Sequence, residues 1–82
     1  FAGAVREITP ADPGYTITFT ATNEGNNAGR AKCQLATFDA TGRRLRTATT
    51  ITDQIPGGGS VDASVTIPGL EAAPASVTVD CS

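Results

Sequence analysis

The segment Tyr15–Thr22 reads Tyr-Thr-Ile-Thr-Phe-Thr-Ala-Thr, an apolar residue and a threonine in strict turn. A period of two puts Tyr15, Ile17, Phe19 and Ala21 on one face of an extended chain and Thr16, Thr18, Thr20 and Thr22 on the other. A helix would scatter the same residues around its circumference, so the pattern specifies a half-buried strand with a β-branched wet face.

The rest of the chain repeats the theme. Ala2 to Ile8 reads as a first strand, ended by Pro10 and the Pro13-Gly14 turn. Asn23 to Gly29 is a loop, because asparagine and glycine tolerate positive φ. Lys32 to Asp39 sets Cys33, Leu35 and Thr37 on one face and Gln34, Ala36 and Phe38 on the other. In Arg43 to Thr52, Leu45, Thr47, Thr49 and Ile51 form the expected inner face, with Arg44, Arg46, Ala48 and Thr50 opposite. Ile55 to Ser60 is a wide turn. Val61, Ala63, Val65 and Ile67 then alternate with Asp62, Ser64 and Thr66. Pro68-Gly69 breaks the chain, and Leu70 to Pro74 links to a last strand, Ala75 to Cys81, with Val77, Val79 and Cys81 inward.

Strands at this spacing, with turn signals between them, predict an all-β fold: a small antiparallel β-sandwich of about six to seven strands, one domain over residues 1–82. Phe38 breaks the parity set by Cys33 and Leu35. Either a bulge shifts the register there or the ring lies on the outer face near the strand end.

A chain of 82 residues buries only about 60–65% of its unfolded surface, so the core needs a staple. Aliphatics larger than alanine, together with the aromatics, number seventeen. Cys33 and Cys81 both point inward and are expected to form a disulfide joining the third strand to the last. Closing a loop of that length is worth about 4 kcal/mol on the chain-entropy account. A disulfide in a small domain implies an oxidising, extracytoplasmic location, secreted or at a cell surface. No apolar run approaches about 18 residues, so no membrane insertion is expected. A start at Phe1 without a signal peptide suggests a processed protein or a domain of a longer chain. The alanine-, threonine- and glycine-rich, lysine-poor composition fits a GC-rich bacterial source.

Composition removes several function classes. With no histidine there is no Ser-His-Asp or Cys-His pair and no imidazole metal ligand. A net charge of −2 provides no footprint for nucleic acid. Two cysteines alone do not complete a zinc site. No metal, cofactor or catalytic residue is expected.

Three pieces carry a resemblance. Phe19-Thr20-Ala21-Thr22-Asn23-Glu24-Gly25 is a strand running into an Asn-x-Gly turn. Leu35-Ala36-Thr37-Phe38-Asp39, followed by Gly42, is an apolar-aromatic-Asp strand end and tight turn. Ile55-Pro56-Gly57-Gly58-Gly59-Ser60-Val61 is a proline-glycine turn into the next strand. In this order they resemble the FxLYD-type immunoglobulin-like domains of bacterial envelope proteins and the related CARDB-like modules, over residues 15–67. Leu35, Thr37 and Phe38 stand where that motif has Phe, Leu and Tyr, and only Asp39 is kept. The resemblance implies a fold and no catalytic residue.

Asp12, Asp39, Asp53 and Asp62 fall at turns or strand ends. A carboxylate pair could serve glycoside hydrolysis, but Asx turns account for such positions more simply, and no calcium-loop spacing is present. Arg43, Arg44 and Arg46 form a basic cluster able to hold a carboxylate or phosphate, or simply the wet side of a strand. Gly57-Gly58-Gly59 lacks the Lys-Ser/Thr of a phosphate loop and is a turn. Phe1 and Phe38 are the rings available for sugar stacking.

The threonine-rich run Thr47–Thr52, if it is an edge strand, exposes backbone groups to another strand. Arg44, Arg46, Thr47, Thr49 and Thr50 are therefore the candidate partner-binding edge. The expected function is a non-catalytic structural, adhesive or protein-docking module, partnered by another protein or by its own copies. The rival is a carbohydrate-binding accessory domain of a secreted hydrolase.

Overall fold

The computed structural model describes every residue from Phe1 to Ser82 except Glu71. Its strands are β1 (Ala2–Pro10), β2 (Tyr15–Thr22), β3 (Gly29–Phe38), β4 (Arg44–Ile55), β5 (Ser60–Ile67) and β6 (Ser76–Cys81). They form two three-stranded sheets, ordered β1-β2-β5 and β4-β3-β6, and all pairings are antiparallel. The sheets stack with β1 beside β6 and β5 beside β4. In immunoglobulin lettering this is A-B-E against C′-C-F, the expected sandwich. Among the described residues no helix is long and apolar enough to cross a membrane.

The core lies between the two central strands. Ile17, Phe19 and Ala21 of β2 and Ala31, Cys33 and Leu35 of β3 are fully buried. Ile55, Ile67 and Leu70 close the ends of the sandwich, and half-buried Val5, Ile8, Val65, Val77 and Val79 line its flanks. The alternation in β2 is satisfied in full: its four apolar residues face in and its threonines face out.

Cys33 and Cys81 stand directly opposite each other in the β3–β6 ladder and are bonded, with S–S 2.07 Å and Cα–Cα 4.0 Å. Lys32 and Ser82, the next pair along, exchange both backbone hydrogen bonds at 3.0 and 2.9 Å. The cysteines thus occupy a non-hydrogen-bonded site, where facing side chains come closest. The bridge therefore lies within one sheet. Gly3 of β1 passes over it, and a Cβ there would sit 2.9 Å from Cys81 Sγ.

β4 corrects the expected inner face. Antiparallel partners share a face, and Leu35 pairs with Ala48 and Cys33 with Thr50, whereas Lys32, Gln34 and Ala36 pair with Ile51, Thr49 and Thr47. Ala48 and Thr50 face the core, while Leu45, Thr47, Thr49 and Ile51 are exposed, Leu45 at 39% and Ile51 at 64%. The period is intact from Leu45 to Ile51; the choice of face is what fails. The register shift between the Phe38–Arg44 and Thr37–Arg46 pairs inserts Leu45 as an extra residue and puts Arg46, Ala48 and Thr50 on the parity of Thr37, Leu35 and Cys33. A second shift follows Ile51, between Arg30 and Lys32 on β3.

The first shift also separates the expected arginine stripe. Arg44 pairs with Phe38 and Arg46 with Thr37, so the two arginines leave opposite faces. Phe38 itself continues β3's alternation, opposite Ser76 on β6, and is a half-buried outer-face ring. The bulge belongs to β4. β1 and β4 run beyond their expected ends, to Pro10 and Ile55, and β3 begins earlier, at Gly29.

The β1–β2 turn contains a cis Asp12–Pro13 peptide and Gly14 at φ 78°, with Ala11 N–H donating to Gly14 C=O at 2.9 Å. A Cβ on Gly14 would fall 2.0 Å from the carbonyl oxygen of Ile67, the residue that Tyr15 faces across β2–β5. Gly14→Ala adds this collision to a left-handed penalty of about 1–2 kcal/mol. We expect it to lower unfolding free energy by more than that penalty alone, measured by urea denaturation; an unchanged midpoint would refute the close approach.

Candidate functional site

β4 is an edge strand: it pairs with β3 alone. Because Lys32 directs its backbone groups toward Ser82, the alternation of the ladder turns those of Cys33 toward Thr50 on β4. Thr50 and Ala48 therefore bond inward to β3. Thr47, Thr49 and Ile51 carry N–H and C=O groups that point at open solvent. Of the candidate edge residues, Thr47 and Thr49 are exposed at this edge, and Thr50 is half-buried on the inner face.

Two buried threonine hydroxyls hold the bulges that flank this straight stretch. Thr37, fully buried, accepts from Arg46 N–H at 3.0 Å and donates to Arg46 C=O at 3.1 Å. Thr52 accepts from Ala31 N–H at 3.0 Å and donates to Asp53 C=O at 2.9 Å. Asn23 does a similar job at one end of the sandwich, donating to the carbonyls of Asn27 and Ile55 and accepting from Gly25 N–H at 2.9 Å. Among the described residues no buried side-chain polar atom lacks a partner.

At the Arg44 end of β4 lies an open cleft of about 510 Å³, lined by Arg43, Arg44, Leu45, Arg46, Leu70 and Ala73 among others. Asp39 stands at its rim. One carboxylate oxygen of Asp39 accepts from Thr41 N–H at 2.9 Å, Thr41 O–H at 2.6 Å and Arg43 N–H at 3.0 Å. This is an Asx turn, and Gly42 at φ 85° completes it by donating to Asp39 C=O at 3.0 Å. The Thr41 hydroxyl, then the Arg43 N–H, hold the Asp39 carboxyl below its ordinary value.

The other carboxylates are dispersed. Asp12 is in the β1–β2 turn, Asp53 in β4, and Asp62 in β5, where it accepts from the Thr20 hydroxyl at 2.6 Å. Among the described residues no three His, Cys, Asp or Glu side chains come together in a metal-holding group. Gly57-Gly58-Gly59 turns β4 into β5, with Gly59 N–H donating to Pro56 C=O at 2.8 Å. Phe1 lies against Gly29, while Phe38 lies at the far end of the same strand, about 30 Å away, so the two rings do not form one platform. The sequence reading missed the outward Leu45 and Ile51 and the apolar cleft floor at Leu70 and Ala73. No local signal marks them, because a bulge and a long linker place them.

Thr37→Val keeps the volume and removes the hydroxyl that bonds Arg46 twice. We expect a loss of about 1–2 kcal/mol, read from the urea midpoint at unchanged m, with Thr37→Ser recovering most of it. Asp39, whose folded pKa lies below the unfolded one, contributes stability above about pH 4 and loses it as pH falls through the folded value. Between about pH 4 and pH 2 the thermal midpoint of the native chain should therefore fall more steeply than that of Asp39→Asn; parallel curves would show that the Asx turn contributes nothing.

No protein-family model, curated protein or solved structure matches this chain.

Proposed function

We propose that this chain is a non-catalytic, extracytoplasmic immunoglobulin-like module with a structural or adhesive role, docking a protein partner or another copy of itself along the edge of β4. One observation carries the reading. Among the described residues, two of the three exposed large apolar side chains, Leu45 and Ile51, lie on this single strand, beside backbone groups that no strand of the two sheets pairs with. An added strand would gain main-chain hydrogen bonds from Thr47, Thr49 and Ile51 and side-chain contact from the exposed face. The buried Cys33–Cys81 bridge supports an oxidising compartment. The likeness of residues 15–67 to FxLYD-type envelope domains supports the same location and a non-catalytic role.

Thr49→Pro is a selective test. Its N–H points away from β3, so proline deletes a hydrogen bond the sandwich does not use while blocking an incoming strand. Sedimentation across a concentration series should show association of the native chain and a folded, monomeric Thr49→Pro variant. A native chain that stays strictly monomeric at high concentration would count against self-assembly, and association unaffected by Thr49→Pro would place the contact elsewhere.

A further inference from the structure

The cleft at the start of β4 gathers three of the chain's six cationic side chains on a protein whose net charge is −2. Arg43 follows the Asx turn, and the bulge at Leu45 sends Arg44 and Arg46 out from opposite faces of β4, yet both line the same cavity. The Arg46 backbone is fixed by its two hydrogen bonds with the Thr37 hydroxyl, one accepted from Arg46 N–H and one donated to Arg46 C=O. Gly69, at φ 86°, leaves room for the guanidinium, since a Cβ there would stand 3.3 Å from Arg46 Nε. Asp39 spends one carboxylate oxygen on three donors of its own turn. Beside the arginines and Asp39, the lining is mainly apolar, with Leu45, Leu70 and several alanines.

We propose that this cleft binds the C-terminal residue of a peptide ending in an apolar side chain, with Arg44 and Arg46 holding the carboxylate and Leu45 and Leu70 the side chain. Guanidinium forks match a planar carboxylate in two-bond geometry and desolvate more readily than ammonium. A C-terminal residue carries carboxylate and apolar group on the same carbon, as the adjacency of arginines and leucines requires. An aspartate or glutamate side chain sets its carboxylate on a polar backbone and would leave the leucines uncovered. A cavity of about 510 Å³ is of the size that takes such a group. This binding does not depend on strand addition along β4.

The test is a titration of the isotope-labelled chain at low salt, followed by amide NMR shifts, with acetyl-Val-Leu, acetyl-Val-Leu-amide and inorganic phosphate. The free acid should shift Leu45, Arg46 and Ala73 and saturate. The amide should bind at least about tenfold more weakly, because the charge-assisted bonds are lost, and phosphate should leave these signals in place. Arg46→Gln keeps the backbone bonds to Thr37 and should weaken the acid about tenfold with the spectrum otherwise native. Arg44→Gln, at an exposed site, serves the same purpose if Arg46→Gln does not fold. Equal binding of acid and amide, saturation by phosphate at the same residues, or full affinity in the folded arginine variant would each overturn the proposal.

Discussion

The bond between Cys33 and Cys81 is the constraint on which the rest of the sandwich depends. β6 is the shortest strand and has β3 as its only ladder partner. Backbone bonds to one neighbour are worth little net free energy, since water competes for the same groups. Cross-linking positions 48 residues apart removes about 4 kcal/mol of unfolded-state entropy on the loop-closure account. That is comparable to the whole stability a core of this size supplies. The bridge also sets the spacing of the layers: Gly3 lies on it because no larger residue leaves room for Cys81 Sγ, which lets β1 come down beside β6.

Small inner side chains are the second condition. Where β4 crosses β3, the residues facing in are Ala48 and Thr50, opposite Leu35 and the disulfide cysteine. Large residues on one strand meet small ones on the next, which is how a thin core reaches full density. The buried polar groups stand where the ladder or a loop would otherwise leave backbone atoms orphaned: Thr37 and Thr52 at the two β3–β4 shifts, Asn23 between the β2–β3 loop and the end of β4. Each bulge is thus a satisfied element of the fold, with a hydroxyl taking the place of a missing ladder partner.

The sandwich was legible in the sequence because β2, β5 and β6 keep their period of two without interruption, and Cys33 and Cys81 shared the inner parity of strands that prove adjacent. β4 was legible as a strand and not as a surface. Its alternation of threonine and alanine gives no energetic reason to prefer one face, and one inserted residue reverses every assignment beyond it. Ile51 and Ile55 have the same parity by count, yet one is exposed and the other buried, because the second shift falls between them. The period placed Thr37 inward with Cys33 and Leu35, and it is fully buried there. What period and composition do not encode is the pair of hydrogen bonds its hydroxyl makes with the backbone of Arg46, nine residues away. The arginines were recognised as a cluster, but their convergence on one cleft depends on a bulge and on a linker that brings Leu70 and Ala73 beneath them.

If β4 serves as the proposed interaction surface, the irregularity that hid it is what shapes it. An uninterrupted strand with Leu45 and Ile51 inward would present only threonines and charges to water, and Arg44 and Arg46 would form a stripe screened by solvent on one side. The bulge at Leu45 puts Arg44 and Arg46 on opposite faces of β4, and both line one cavity. It also limits the straight part of the edge to the residues between the two shifts. A long flat edge would template unselective pairing. A short one, ended by the Thr37-anchored Arg46 on one side and by the Thr52 bulge on the other, would admit a strand of defined length in the proposed docking and leaves the arginine-lined cleft at one end of it. On the proposed reading, selectivity in so small a module would come from where the ladder breaks.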